Sequence, residues 1–298
     1  MPDIVKADGT IEPFDPERLR QSLMRAGAGE YTARTITETV TRMVHRGMHS
    51  RDIYRRAFRL LRKETRPVAA RYALRRALLD LGPSGHPFED FVAHLFAKDG
   101  WQVEWRKILQ GKCVPHEVDI YAHKDGATMV AELKYHNTPT YKTDVKVALY
   151  VKARLDDIWA HAEDRQTHPV ERGFLITNTK FTSQAVDYAR CAGIELIGWG
   201  HPLKGNLYER MYATRTYPIT ALTRPTKAEK RLLIDAGIVA CDMLRERRET
   251  LAQLRFSPER IGAIIAEADA LLALPHPYAY GEVQEEDERD HKEAGAIA

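Results

Sequence analysis

Apolar and polar positions switch between two periods along this chain, and the switches predict its elements. Near the N-terminus, Ile4 to Lys6 and Ile11 to Phe14 are short β-prone runs separated by Ala7-Asp8-Gly9-Thr10, a hairpin pattern. Asp15 then caps a helix whose first turn holds Pro16 and Glu17, with Gly27 as its stop. Helical periodicity returns over residues 31–48, over 51–64 with Ser50 as N-cap, and over 67–81. The expectation for residues 1–82 is a hairpin laid on a bundle of four helices.

Gly82-Pro83-Ser84-Gly85 breaks that pattern and marks a boundary. Beyond it, Phe88, Phe91, Val92, Leu95 and Phe96 recur at helical spacing, and a strand follows around Trp101 to Trp105. Two more strand-like runs, Val118 to Tyr121 and Met129 to Tyr135, flank the turn signal Asp125-Gly126. A helix with Val145, Leu149, Val151 and Leu155 on or near one apolar face comes next. Strand (residues 173–177), helix (182–191) and strand (195–199) complete the segment. Helix, three strands, helix, strand, helix, strand is the order of an α/β sandwich with a mixed sheet. The fold class expected is therefore multidomain α/β, with an N-terminal helical bundle and hairpin and a C-terminal helical segment. The functional segments expected are 1–82, 83–222, 223–280 and an acidic, disordered tail at 281–298. Within 223–280, Leu232 to Leu244 around Gly237 looks like a helix-hairpin-helix unit, and Ser257-Pro258-Glu259 starts the last helix.

The chemistry concentrates in "VPHEVDIYAHKDGATMVAELKYH", residues 114–136. Alternation puts Glu132 and Lys134 on one face of their strand and Leu133 on the other. A hairpin closed at Asp125-Gly126 brings Asp119 alongside. Asp119 and Glu132 are hard oxygen donors. His116, His123 and His136 bracket the cluster, but no zinc pattern is legible in their spacing. His116 could help to position a phosphate. Lys142, Lys146 and Lys152 are candidates for contacts to backbone phosphates, a solvated helix face being the commoner explanation, and Trp101, Trp105 and Trp199 are expected to be packing residues.

Charge sharpens the division. Residues 1–82 hold 17 basic and 10 acidic side chains, whereas residues 281–298 hold 2 basic and 7 acidic, so the formal net charge of +3 hides two opposed ends. Three cysteines without a C-x-x-C pair exclude a disulfide framework and a zinc ribbon. The absence of a long apolar run or a signal-peptide core gives the expectation of a cytoplasmic protein without membrane contact.

Two resemblances follow from these residues. "VKADGTIEPFDPERL", Ser50-x-Asp52-Ile53 and "AARYALRRAL" resemble the ATP-cone, a small regulatory nucleotide-binding domain. The resemblance implies ATP or dATP as effector, with Lys6 and Arg18 on phosphates, Glu12 and Asp15 facing ribose or base, and Ser50 at the helix that closes the pocket. Ala7 departs from that pattern where a second basic residue is usual, and Tyr54 stands where some cones carry histidine. Residues 88–202 resemble the PD-(D/E)xK nuclease superfamily, most closely its Mrr-like restriction endonuclease branch. The carrying residues are Glu89, Asp119, Glu132-Leu133-Lys134 and the downstream "GFLITNTKFTSQAVDYA". That resemblance implies a metal-dependent endodeoxyribonuclease with Asp119, Glu132, Lys134 and Glu89 as catalytic residues, and with Asp119, Glu132 and the backbone carbonyl of Leu133 as ligands for Mg²⁺ or Mn²⁺. DNA is the implied partner, and one site per chain favours a homodimer for cleavage of both strands. The alternative is a nucleotide-responsive regulator whose nuclease-like fold only binds DNA. Two carboxylates would repel a polyanion unless a metal lay between, which favours the enzyme.

Overall fold

The computed structural model describes residues 1–165 and 170–276, so the acidic-tail expectation lies outside the described residues. The described chain divides into two compact units, residues 1–74 with 222–224 and 266 onward, and residues 75–221 with 225–265.

In the first unit, β1 (Asp3–Val5) pairs antiparallel with β2 (Ile11–Pro13) across the predicted turn. Asp15 caps α1 (Pro16–Arg25), its carboxylate accepting from the backbone N–H of Glu17 at 2.9 Å and of Arg18 at 3.3 Å. Gly27, with φ of 96°, turns the chain away as expected. The 31–48 expectation needs correction. Helix α2 (Glu30–Thr41) stops early, and after Gly47 (φ 80°) the chain forms β3 (Met48–His49) parallel to β1. Met48 is apolar because the sheet buries it, not because a helix does. α3 (Ser50–Glu64) therefore begins one residue earlier than expected. The extended residue before it is His49, and Ser50 is already helical rather than the N-cap. The last predicted helix is broken at Ala73 into α4 (Arg66–Tyr72) and α5 (Leu74–Leu79). Leu19, Leu23, Ala33, Ile36, Val40, Ile53, Ala57 and Leu61 form the unit's apolar core.

In the second unit, α6 (His86–Lys98) buries all five of its predicted apolar positions. β4 (Gln102–Gln110), β5 (Pro115–Lys124) and β6 (Ala127–Lys134) form an antiparallel meander. Asp125 and Gly126 both have positive φ, 50° and 83°, and close a two-residue hairpin between Lys124 and Ala127. β7 (Lys142–Thr143) leads into α7 (Val145–Arg165). Then β8 (Arg172–Thr177), β9 (Lys180–Phe181), α8 (Ser183–Ala192) and β10 (Ile194–Ile197) follow. The five-stranded order is β10-β8-β6-β5-β4, with β6, β8 and β10 parallel, and β7 pairs with β9 separately. Parallel neighbours need crossovers, which α7 and α8 supply. β6 is central, so its run from Thr128 to Leu133 is buried on both faces.

Three local expectations change. The buried stripe of α7 is Ala148, Val151, Leu155 and Ile158, while Leu149 is exposed. Trp105 is 56 % exposed on β4, which is the edge strand of its sheet. In the C-terminal segment, α9 (Leu207–Thr214) and α10 (Lys227–Asp235) are helices, but Gly237 leads into a bridge between Ala240 and Pro218 and a 3-10 turn at Cys241–Leu244. The second helix of a helix-hairpin-helix is therefore missing there; Asp242 turns inward to pair with His94 at 2.8 Å and Lys98 at 3.5 Å. α11 (Arg248–Gln253) and α12 (Pro258–Leu272) are the last elements among the described residues, with the Ser257 hydroxyl accepting from the Arg260 N–H as expected. Among the described residues no helix is long and apolar enough to cross a membrane.

Candidate active site and nucleotide site

The candidate active site lies where the antiparallel ladder fails. β4 and β5 pair at Trp105↔Ile120 and again at Lys107↔Val118, leaving Arg106 and Asp119 unpaired between them. Arg106 has φ of 54°, a left-handed conformation that costs a non-glycine residue about 1–3 kcal/mol. The β5–β6 ladder also ends at Ile120↔Ala131, one step before Asp119 and Glu132. In place of a ladder bond, the Leu133 N–H donates to Asp119 Oδ2 at 2.7 Å. The aspartate thus stands in for a strand backbone and fixes the path of the Glu132-Leu133-Lys134 tripeptide.

Asp119 is mostly desolvated. Burial, then the charges of Glu132 and Glu89, raise its pKa to about 6, against the opposing effects of the Leu133 N–H and Lys134. Glu132 is 8 % exposed and has cations on both oxygens, Lys134 Nζ at 2.6 Å and Arg154 Nη1 at 2.5 Å. Arg154 also donates to the Glu117 carbonyl at 3.0 Å and bonds the Tyr150 hydroxyl. Glu89, in the first turn of α6, faces Arg106 at 3.3 Å, and Asp90 takes the same guanidinium at 3.0 Å. Asp119, Glu132, Lys134 and Glu89 therefore share one electrostatic neighbourhood.

Sequence reasoning missed Arg154 and Arg106. Arg154 had a signal: it falls on the inward stripe of α7 between Val151 and Leu155, where a charge needs a buried partner. Arg106 had none, since its backbone conformation is what aims it. The histidines go elsewhere. His116 is held by Asp157 at 2.7 Å, which also accepts the N–H groups of Cys113 and Val114 and so organises the β4–β5 turn. His123 meets Thr128 and His136 meets Thr143. Lys152 pairs with Asp156, whereas Lys142 and Lys146 are exposed.

A divalent cation suits this donor set. Asp119 and Glu132 are hard carboxylate donors, Asp119 raised first by burial and then by the charge of Glu132, and the backbone carbonyl of Leu133 lies between Glu132 and Lys134 in the chain. Among the described residues no group of three or more Asp, Glu, His or Cys side chains is placed to hold a metal ion, so a cation here would rest on two carboxylates and a backbone carbonyl.

In the first unit, four of the five predicted nucleotide residues meet. Lys6 Nζ lies 2.8 Å from Glu12, and Arg18 reaches Glu12 at 3.8 Å and Asp15 at 3.7 Å. Ser50 follows the last β1–β3 pair, Val5↔His49, so it and Lys6 leave the sheet at the same end. Tyr54 is packed between Tyr72 at 5.1 Å and Phe58 at 6.2 Å.

Comparison with known proteins finds two families in succession along the chain. The ATP cone domain family matches residues 2–80, and the Mrr-type restriction endonuclease family matches residues 82–200. The chain is thus an ATP cone followed by a restriction endonuclease-like domain and C-terminal helices. The AF1548-like C-terminal family matches residues 217–272. A relative from Archaeoglobus fulgidus, described as an uncharacterized protein, is 35% identical over 182 residues, 61% of this chain and 99% of the relative. The crystal structure of AF1548, a protein of unknown function, matches with TM-score 0.52 and 32% identity, covering 63% of this chain and 98% of that one. The chain belongs to the family of these AF1548-like proteins. Nuclease domains of this kind typically use divalent metals and act on DNA, and ATP cones bind nucleotides.

Proposed function

We propose that this protein is a Mg²⁺- or Mn²⁺-dependent DNA endonuclease controlled by ATP or dATP. The observation that carries the reading is the Asp119–Leu133 bond, which sets two desolvated carboxylates and the Lys134 ammonium together at a break in the sheet. Asp119, Glu132 and the Leu133 carbonyl would hold the cation, which would supply Lewis acidity and neutralise phosphate charge. Lys134 orients the attacking water or stabilises charge developing on the phosphate. Arg154 keeps Glu132 in place from α7, and Glu89 adds negative charge from α6. In the cone, Lys6 and Arg18 exchange their carboxylate partners for phosphates, and Glu12 and Asp15 turn to ribose or base. On this reading residues 1–82 sense the nucleotide, 83–222 cut DNA, and 223–280 are a helical appendage.

One observation favours the second reading, a DNA-binding regulator without cleavage: Glu132 is already neutralised by Lys134 and Arg154. Incubating the purified chain with supercoiled plasmid and Mg²⁺ or Mn²⁺, with and without ATP or dATP, separates the two. Nicked or linear product that requires the metal supports the nuclease. DNA binding without product at any nucleotide level supports the regulator.

A further inference from the structure

The catalytic strand does not end free. Tyr135, the residue after Lys134, donates its hydroxyl to the Leu79 carbonyl at 2.6 Å and accepts from the Gly82 N–H at 2.9 Å. Both partners belong to the end of α5 and the turn that follows it. The fit leaves no slack, because a Cβ on Gly82 would overlap the Tyr135 ring and hydroxyl. The ring itself rests against Phe88 of α6, centroids 5.9 Å apart. Two further bonds hold the same segment: Thr220 Oγ1 to the Ala77 carbonyl at 2.6 Å, and Arg231 to the Gly82 carbonyl at 3.3 Å.

α5 has a double membership. The ATP cone match runs to residue 80 and so includes it, yet its residues 75–79 pack within the second unit, with the nuclease sheet. The chain passes from α4 through Ala73 alone into α5, then through the turn at residues 80–85 into α6, where Glu89 sits. The segment that follows α4 in the chain thus has its carbonyl and amide fastened to the residue adjoining Lys134.

We propose that Tyr135 is a positioning residue that latches the terminal helix of the ATP cone to the catalytic strand, so that nucleotide in the cone sets the placement of Lys134 and Glu89. This rests on the reading above and names its route of regulation. An interior packed this tightly moves between discrete arrangements instead of deforming smoothly, which lets a small shift of α5 reach the strand.

The test uses the full chain and four proteins: wild type, Tyr135→Phe, Gly82→Ala and, as a control, Thr220→Val. Tyr135→Phe keeps the ring against Phe88 and removes both hydrogen bonds; Gly82→Ala displaces the hydroxyl from the other side. Thermal shift with ATP, amide hydrogen exchange over residues 79–85 and 132–137, and plasmid cleavage with and without ATP are measured on each. In the wild type, ATP should raise the midpoint, change exchange in both segments and change the cleavage rate. In Tyr135→Phe and Gly82→Ala the midpoint shift should persist, the exchange response at 132–137 should vanish, and the ratio of rates with and without ATP should fall to one. Thr220→Val should keep the wild-type ratio. A retained ratio and exchange response in Tyr135→Phe overturns the latch, as does a wild type that binds ATP without any exchange change at 132–137, or a Thr220→Val that loses the ratio equally. Absence of any ATP shift in the wild type removes the cone reading and the latch together. An intact exchange pattern without plasmid cleavage keeps the latch and removes the nuclease reading.

Discussion

The two candidate sites are built from the same residue types and differ in burial. In the cone, Lys6, Glu12, Asp15 and Arg18 pair across 2.8–3.8 Å with side chains 37–62 % exposed. Such pairs lie in high dielectric, contribute little to stability and open readily to a competing anion. In the nuclease domain, Glu132 pairs with Lys134 at 2.6 Å and Arg154 at 2.5 Å and is almost fully enclosed, while Asp119 accepts the Leu133 N–H at 2.7 Å. There desolvation raises one carboxylate, and removing any partner leaves a charge without compensation. Exposure makes the first cluster adaptable to ligand; enclosure makes the second a fixed apparatus.

The contrast breaks most visibly at the enclosed site. Asp119→Asn, Glu132→Gln and Lys134→Ala should each lower metal-dependent cleavage by about 10²–10³-fold, the scale of losing one charge-stabilising group. Circular dichroism should stay native, and Lys134→Ala should bind the metal nearly as wild type in a calorimetric titration. Wild-type cleavage by any one of them would remove that residue from the site.

At the exposed site the same size of change should leave the enzyme intact and abolish ligand response. ATP at about 100 times its dissociation constant should stabilise the folded chain by about 2.7 kcal/mol. Lys6→Ala with Arg18→Ala should erase that shift in scanning calorimetry. Equal stabilisation by pyrophosphate would reduce the cone to an anion trap.

Arg154 tests whether enclosure matters beyond the four expected residues. Arg154→Met should reduce metal affinity or cleavage by about 10–100-fold, as loss of an orienting partner does. Arg154→Lys should recover part of the activity but not the second bond to Glu117, since a lysine lacks the guanidinium fork.

A pH series gives a smaller effect of known sign. Asp119 has a folded pKa of about 6 against an ordinary 3.8, so between these values the folded chain holds a proton that the unfolded chain has lost. The metal-free protein should therefore lose stability as pH rises through that window. Metal binding must displace the same proton, so affinity should weaken about tenfold per pH unit below 6. An apo stability that rises across the window would contradict the burial of Asp119. Smallest of all, Asp15→Ala should cost about 1 kcal/mol through loss of the α1 cap, seen in denaturant melts.

Much of this molecule was legible in its sequence. Asp125-Gly126 specified a hairpin because two positive φ values in succession are cheap there. The five apolar positions of α6 specified its buried face, and period-two alternation put Glu132 and Lys134 together. Met48 was misassigned because a two-residue parallel strand carries no periodicity, only a partner 44 positions away in β1. Trp105 was misassigned because the chemistry of a side chain does not say whether its strand is at an edge.

Sequence alone thus determined local conformations and the candidate residues, since turns, caps and strand faces are set by neighbours within a few positions. Tertiary structure alone decided that Asp119 takes the Leu133 N–H, that Arg154 closes Glu132 from a helix 22 residues on, and that Tyr135 grips Gly82 from 53 residues away. Those contacts depend on sheet order, on a left-handed residue at Arg106 and on burial, which only the folded chain brings into being.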